Sequence, residues 1–145
     1  MTIFSLNGYE DEKIVLGFSK ELGFPNSTGY EGGYDIECFL QISAGGYHVK
    51  NAIHYSATGA LYRFSSEPKR CYDTLQGEAE YRLKLENDLM IKVSMLSGGH
   101  AVITGSFQAR PDKQNILQFE IATDQTCLLN VIQSIDSLKG KYGDI

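Results

Sequence analysis

Apolar residues recur at every second position along most of this chain, and a period of two fits strands that bury one face and wet the other. Residues 13–19 set Ile14, Leu16 and Phe18 on one side and Val15 opposite. Residues 35–43 do the same with Ile36, Cys38, Leu40 and Ile42, leaving Glu37 and Gln41 on the other face. In residues 47–55 the shared face carries Tyr47, Val49, Ile53 and Tyr55. The step Ala44-Gly45-Gly46 between these two strands reads as a hairpin turn, because glycine adopts the positive φ that tight hairpins require.

The second half continues as a meander. Ala79, Tyr81, Leu83 and Leu85 alternate up to a turn at Asn87-Asp88, and Leu89, Ile91, Val93 and Met95 alternate after it. Ser97-Gly98-Gly99 turns the chain into Ala101, Ile103, Gly105 and Phe107, and a loop at residues 111–114 leads to a last strand at 116–122. Strands joined by turns this short pair antiparallel.

Two segments leave the period of two. Residues 57–75 carry Leu61, Phe64, Cys71, Tyr72 and Leu75 at helical spacing, but Pro68 lies among them. A proline inside a helix costs about 3 kcal/mol. The expectation is a break near Ser65-Ser66, with Pro68 in the first turn of a second short helix that Gly77 ends. Near the C-terminus, Asp124 is a suitable N-cap. Cys127, Leu128, Val131, Ile132, Ile135 and Leu138 form an apolar stripe, and Gly140 is a natural stop. The fold class is α+β: a curved antiparallel sheet of seven to eight strands with a C-terminal meander, one or two short central helices, and a C-terminal helix packed on one face. At 145 residues, residues 1–145 read as a single domain.

Composition narrows function. The formal charge is −5, which opposes nucleic-acid backbones and suits a basic partner. No apolar run reaches membrane-spanning length, and residues 1–10 have neither the basic start nor the apolar stretch of a secretory signal. Cys38, Cys71 and Cys127 are too scattered for a disulfide framework or a metal motif and read as buried thiols in a reducing, cytoplasmic setting.

The chain carries no linear catalytic motif. His48 and His54 lie six apart in one strand, about 20 Å by strand rise, too far to share a metal ion. His100 follows a glycine turn, and all three histidines read as surface or turn residues. The glycine-rich spots lack the lysine and hydroxyl residue of a phosphate loop, so no cofactor is implied. Nine tyrosines and no tryptophan are more suggestive, since tyrosine is enriched at protein interfaces. Tyr9, Tyr30 and Tyr34, interleaved with Glu10, Asp11, Glu31 and Asp35, are the candidate partner-binding residues.

Three stretches carry a family likeness: FSSEPKRCYDTLQGEAE at residues 64–80, GGHAVITGSFQ at 98–108 and LQFEIATDQTCL at 117–128. Leu75, Gly77 and Ala79, then Gly99 and His100, then Asp124, Gln125 and Thr126 stand where the WapI-type immunity family has a helix stop, a turn into a strand and a helix start. The sequence resembles that family over about residues 14–138, although Pro68 departs from the uninterrupted helix expected there. The resemblance implies a cytoplasmic antidote that binds the toxic C-terminal domain of a contact-delivered toxin, often a ribonuclease, with no chemistry of its own. The contrasting readings are a small-ligand-binding domain or enzyme whose site assembles around His48, His54 or His100, and a structural or regulatory interaction module. Monomer and homodimer both remain open.

Overall fold

Backbone pairing divides the strands into two antiparallel sheets of four, in the orders β1-β2-β3-β4 and β5-β6-β7-β8. The structure, a computed structural model, describes residues 1–143. The first sheet holds β1 (Thr2–Asn7), β2 (Lys13–Glu21), β3 (Asp35–Ala44) and β4 (Tyr47–Ala57). Helix α1 (Thr58–Thr74) leads to β5 (Glu78–Tyr81), β6 (Leu89–Met95), β7 (His100–Phe107) and β8 (Leu117–Asp124), and α2 (Cys127–Tyr142) follows. The α+β class and the meander agree with the alternation in the sequence. The strands form two sheets where a single curved one was expected. Strand β1 escaped the pattern because its register shifts between Thr2 and Phe4, so adjacent Ile3 and Phe4 are both buried.

The sheets and both helices share one contiguous core, with Phe4, Leu40, Phe64, Tyr81, Ile103 and Val131 among its members. At one corner the sheets are tied by hydrogen bonds from the Tyr9 N–H to the Ala122 carbonyl, 3.1 Å, and from the Thr123 hydroxyl to the Asn7 carbonyl, 2.8 Å. Among the described residues, no helix is long and apolar enough to cross a membrane.

Both helices correct the sequence reading. Helix α1 runs unbroken through Pro68. Leu61, Phe64, Pro68 and Cys71 form its buried stripe, so the proline serves as an apolar core residue. Burial against the core holds the helix across the missing N–H. Just upstream, the Ser65 and Ser66 hydroxyls donate to the carbonyls of Tyr62 and Arg63, each at 2.9 Å. Helix α2 likewise passes Gly140 and ends at Tyr142, with Gly143 beyond it at φ 81°. What extends it is the Tyr142 ring, which is buried against Phe24 at 4.9 Å between centroids. Asp124 lies three residues ahead of the helix. There it accepts the Thr126 N–H at 2.9 Å and so orders the turn leading in, without capping the first helical turn directly.

Candidate partner-binding surface

Strand β4 decides what this molecule exposes. Leu40 pairs with Ala52 but Ile42 pairs with Val49, so β4 carries one more residue than β3 over the same span. The bulge is accommodated at Asn51, whose φ of 51° lies in the left-handed region that asparagine tolerates better than most residues. One extra residue exchanges the two faces of everything that follows. Ile53 and Tyr55, expected to share the buried face, are 59% and 56% exposed, while His54 and Ser56 point inward and are buried.

The buried pair joins a polar chain. His54 Nδ1 lies 2.7 Å from Asp88 Oδ2, His54 Nε2 lies 2.7 Å from the Tyr81 hydroxyl, and that hydroxyl lies 2.7 Å from Ser56 Oγ. Burial pushes the Tyr81 phenol well above its ordinary value, so it remains a proton donor. With a neutral imidazole the chain is satisfied when Ser56 donates to Tyr81, Tyr81 to Nε2, and Nδ1–H to Asp88. His54 is therefore an interior residue, correcting the surface placement read from sequence. Both its ring nitrogens are engaged, so neither is free for a ligand. Asp88 Oδ1, in contrast, is buried with no hydrogen-bond partner among the described residues.

Outside this chain of bonds lies a groove. Ile53 and Tyr55 form one wall, residues 86–88 of the β5–β6 connection a second, and Gln108, Ala109 and Pro111 of the β7–β8 loop the third, around about 630 Å³. The Gln108 N–H donates to the Asp88 carbonyl at 2.8 Å and holds the two loops together. Tyr55 and Glu86 also line an adjoining hollow of about 350 Å³, whose other walls include Leu22, Tyr30, Glu31, Asp35 and Leu85. Leu85 and Tyr30 are 64% and 70% exposed. Glu31, Asp35, Glu86 and Asp88 give the combined surface acidic character. Cations of the neighbouring segments are engaged: Arg63 pairs with Glu31 at 2.9 Å, Arg110 pairs with Asp112 at 2.7 Å, and Lys84 sits 5.8 Å from the centre of the Tyr30 ring.

The seven candidate residues fall in two places. Tyr9, Glu10 and Asp11 make the β1–β2 turn, in which the Glu12 N–H donates to the Tyr9 carbonyl and Glu10 and Asp11 have φ of 58° and 64°. Both central residues are thus left-handed, as in a type I′ turn. Tyr9 is strapped to β8 through its hydroxyl, 3.0 Å from Asp124 Oδ2. That bond raises the Tyr9 phenol, while bonds from Thr126 first, and Tyr9 as well, lower the Asp124 carboxyl. Tyr30, Glu31, Tyr34 and Asp35 lie at the other end of the first sheet, since Lys13 pairs with Ser43 and Asp35 starts β3. Eight residues of strand separate the two ends, about 27 Å.

Within the second group, the residues serve different ends. Tyr30 is an exposed surface ring with the Lys84 ammonium over its face. Tyr34 is buried, edge-on to Phe24 at 5.0 Å between centroids, and presents nothing to a partner. Glu31 is a clamp: its carboxylate accepts the Lys84 N–H at 2.8 Å, the Leu85 N–H at 3.1 Å and Arg63 Nη2 at 2.9 Å. Desolvation pushes its pKa up, but these bonds together outweigh it and leave the carboxyl below its ordinary value. Sequence reasoning missed Ile53, Tyr55, Leu85 and Asp88. The one local signal was Asn51, a residue tolerant of left-handed backbone in the middle of a strand.

The scaffold is thus an antiparallel α+β fold with an acidic, aromatic outer surface beside β4. Residues 5–143 match the model of the Immunity protein WapI-like family, and the chain belongs to that family. No curated protein matches the chain.

Proposed function

We propose that the chain is a cytoplasmic immunity protein that neutralises a protein toxin by binding it one to one, without chemistry of its own. Membership of the immunity family across residues 5–143 carries this reading. The physical character of the surface supports it. An inhibitor needs a rigid platform, aromatic anchors and a charge opposite to its partner's, and the net charge of −5 suits a basic target. A toxin that cuts nucleic acid fits that description, because its substrate groove must be basic. Tyr30 and Asp35 at one end of the sheet, and Tyr9, Glu10 and Asp11 at the other, remain candidate contacts, with Glu31 holding the first group in place.

The test is protection. An immunity protein should lie directly downstream of its toxin gene, so the C-terminal domain of the protein encoded immediately upstream is expressed in a naive host with and without this chain. Rescue of growth, together with a one-to-one complex by size exclusion and light scattering, is expected. Absence of both rescue and complex would remove the proposal.

A further inference from the structure

We infer that the groove beside β4 is where the toxin docks, and that it receives a basic, partly apolar segment of that partner. The inference rests on the immunity reading above and adds the surface and the chemistry of the occupant. Strand β4 is an edge strand, and the bulge at Asn51 turns Ile53 and Tyr55 outward at the point where loops of the second sheet stand beside it. Without that extra residue, the two would enter the core and His54 and Ser56 would face solvent. A left-handed asparagine within a strand is tolerated at some cost, and its largest consequence here is to furnish this groove with its apolar wall.

Charge selects the occupant. Glu86 and Asp88 stand in the larger hollow and Glu31 and Asp35 in the adjoining one, and no lysine or arginine lines either hollow among the described residues. An anionic segment would be repelled, and a wholly apolar one would desolvate Asp35, Glu86 and the exposed part of Asp88 without supplying a counter-charge, Glu31 being already held by Arg63. Asp88 sharpens the choice. One of its oxygens is held by His54, the other has no donor, and the side chain is still 25% exposed. A cationic side chain entering between Tyr55 and Pro111 would lie against the exposed part of Asp88 and offset its charge without reaching the buried Oδ1, with the Tyr55 ring supplying a face for the alkyl stem. The turn at Tyr9, Glu10 and Asp11 fits less well, since its one aromatic hydroxyl is already committed to Asp124.

Two measurements on the full chain test this. In the first, amide NMR spectra are recorded with a short peptide of alternating arginine and leucine, and with its glutamate counterpart. The basic peptide should shift Ile53, Tyr55, Glu86 and Asp88 and the acidic one should not. Shifts confined to the β1–β2 turn, or equal for both peptides, overturn the inference. In the second, affinity for the C-terminal domain of the expected upstream toxin is measured for the unaltered chain, for a Tyr55→Ala, Glu86→Lys double variant, and for Asp136→Lys on the exposed face of α2, each first shown to melt like the parent. The double variant should bind roughly 30-fold more weakly or worse, and Asp136→Lys within about 3-fold of the parent. A parent that binds and a double variant that binds equally well refute the groove and leave the immunity reading standing. A parent that does not bind removes both.

Discussion

At the scale of single residues, two polar side chains in this protein have consequences out of proportion to their number. Tyr81 is wholly buried and its hydroxyl mediates between His54 and Ser56. Tyr81→Phe keeps the ring in the core but leaves a histidine nitrogen and a serine hydroxyl without their partner, a loss of about 1–3 kcal/mol. The midpoint of urea unfolding should fall accordingly with an unchanged slope, and an unchanged midpoint would mean the chain of bonds contributes nothing. Glu31 makes a different prediction because its folded pKa is depressed below its ordinary 4.5. Its contribution is present above that value and is lost as pH falls through the folded pKa. The stability gap between the parent and Glu31→Gln should therefore be full at neutral pH and close progressively below about pH 4.5. A gap that is constant with pH contradicts the clamp.

At the scale of elements, each sheet contains a glycine with a phenylalanine laid across it from the neighbouring strand. Gly17 pairs with Phe39 in the first sheet and Gly105 with Phe119 in the second. A Cβ on Gly17 would come 2.2 Å from the Phe39 ring, an atom group that can swing aside. On Gly105 it would come 2.1 Å from the Met90 carbonyl oxygen, which cannot move without shifting β6, and 2.6 Å from Phe119. Gly105→Ala should thus cost about 2–3 kcal/mol and Gly17→Ala distinctly less, compared by denaturant midpoint. The reverse order would show the second sheet to be the more pliable. The same elements show what a sequence can reveal. Alternation located seven of the strands because one-sided burial is a local property written into neighbouring residues. It misassigned the second half of β4 because a bulge depends on the pairing with β3, and nothing local states that an extra residue has been inserted. Pro68 misled in a related way: its intrinsic penalty is visible in the sequence, whereas the core that covers it is not. Tyr30, Glu31, Tyr34 and Asp35 were legible as a loop cluster. Their division into a surface ring, a clamp and a core residue is set by α1, α2 and the β5–β6 connection, which lie far away in sequence.

At the scale of the whole molecule, the two sheets face a choice between unfolding together and unfolding apart, and the three cysteines are placed to report it. Cys38 lies in β3, Cys71 in α1 and Cys127 at the start of α2, and all three are free and buried. Burial pushes the Cys38 thiol up to about 12 and the Cys127 thiol up to about 11, and raises Cys71 as well. Thiolate is the reactive form, so each sulfur is protected twice, by exclusion of reagent and by suppression of ionisation. Because the side chains of both sheets and both helices meet in one core, no thiol should become accessible without disrupting the packing of the others. In native buffer at pH 8, a colourless thiol-specific disulfide reagent should therefore release its chromophore slowly, with one rate for all three sulfurs. That rate should equal reagent-independent unfolding at high reagent and should scale with the global stability when reclosing is fast. The Tyr81→Phe and Gly105→Ala variants should accelerate all three sites by the same factor. If instead Cys38 reacts ahead of Cys71 and Cys127, the first sheet opens independently, and the surface built between β4 and the loops of the second sheet would then be assembled from parts that can separate.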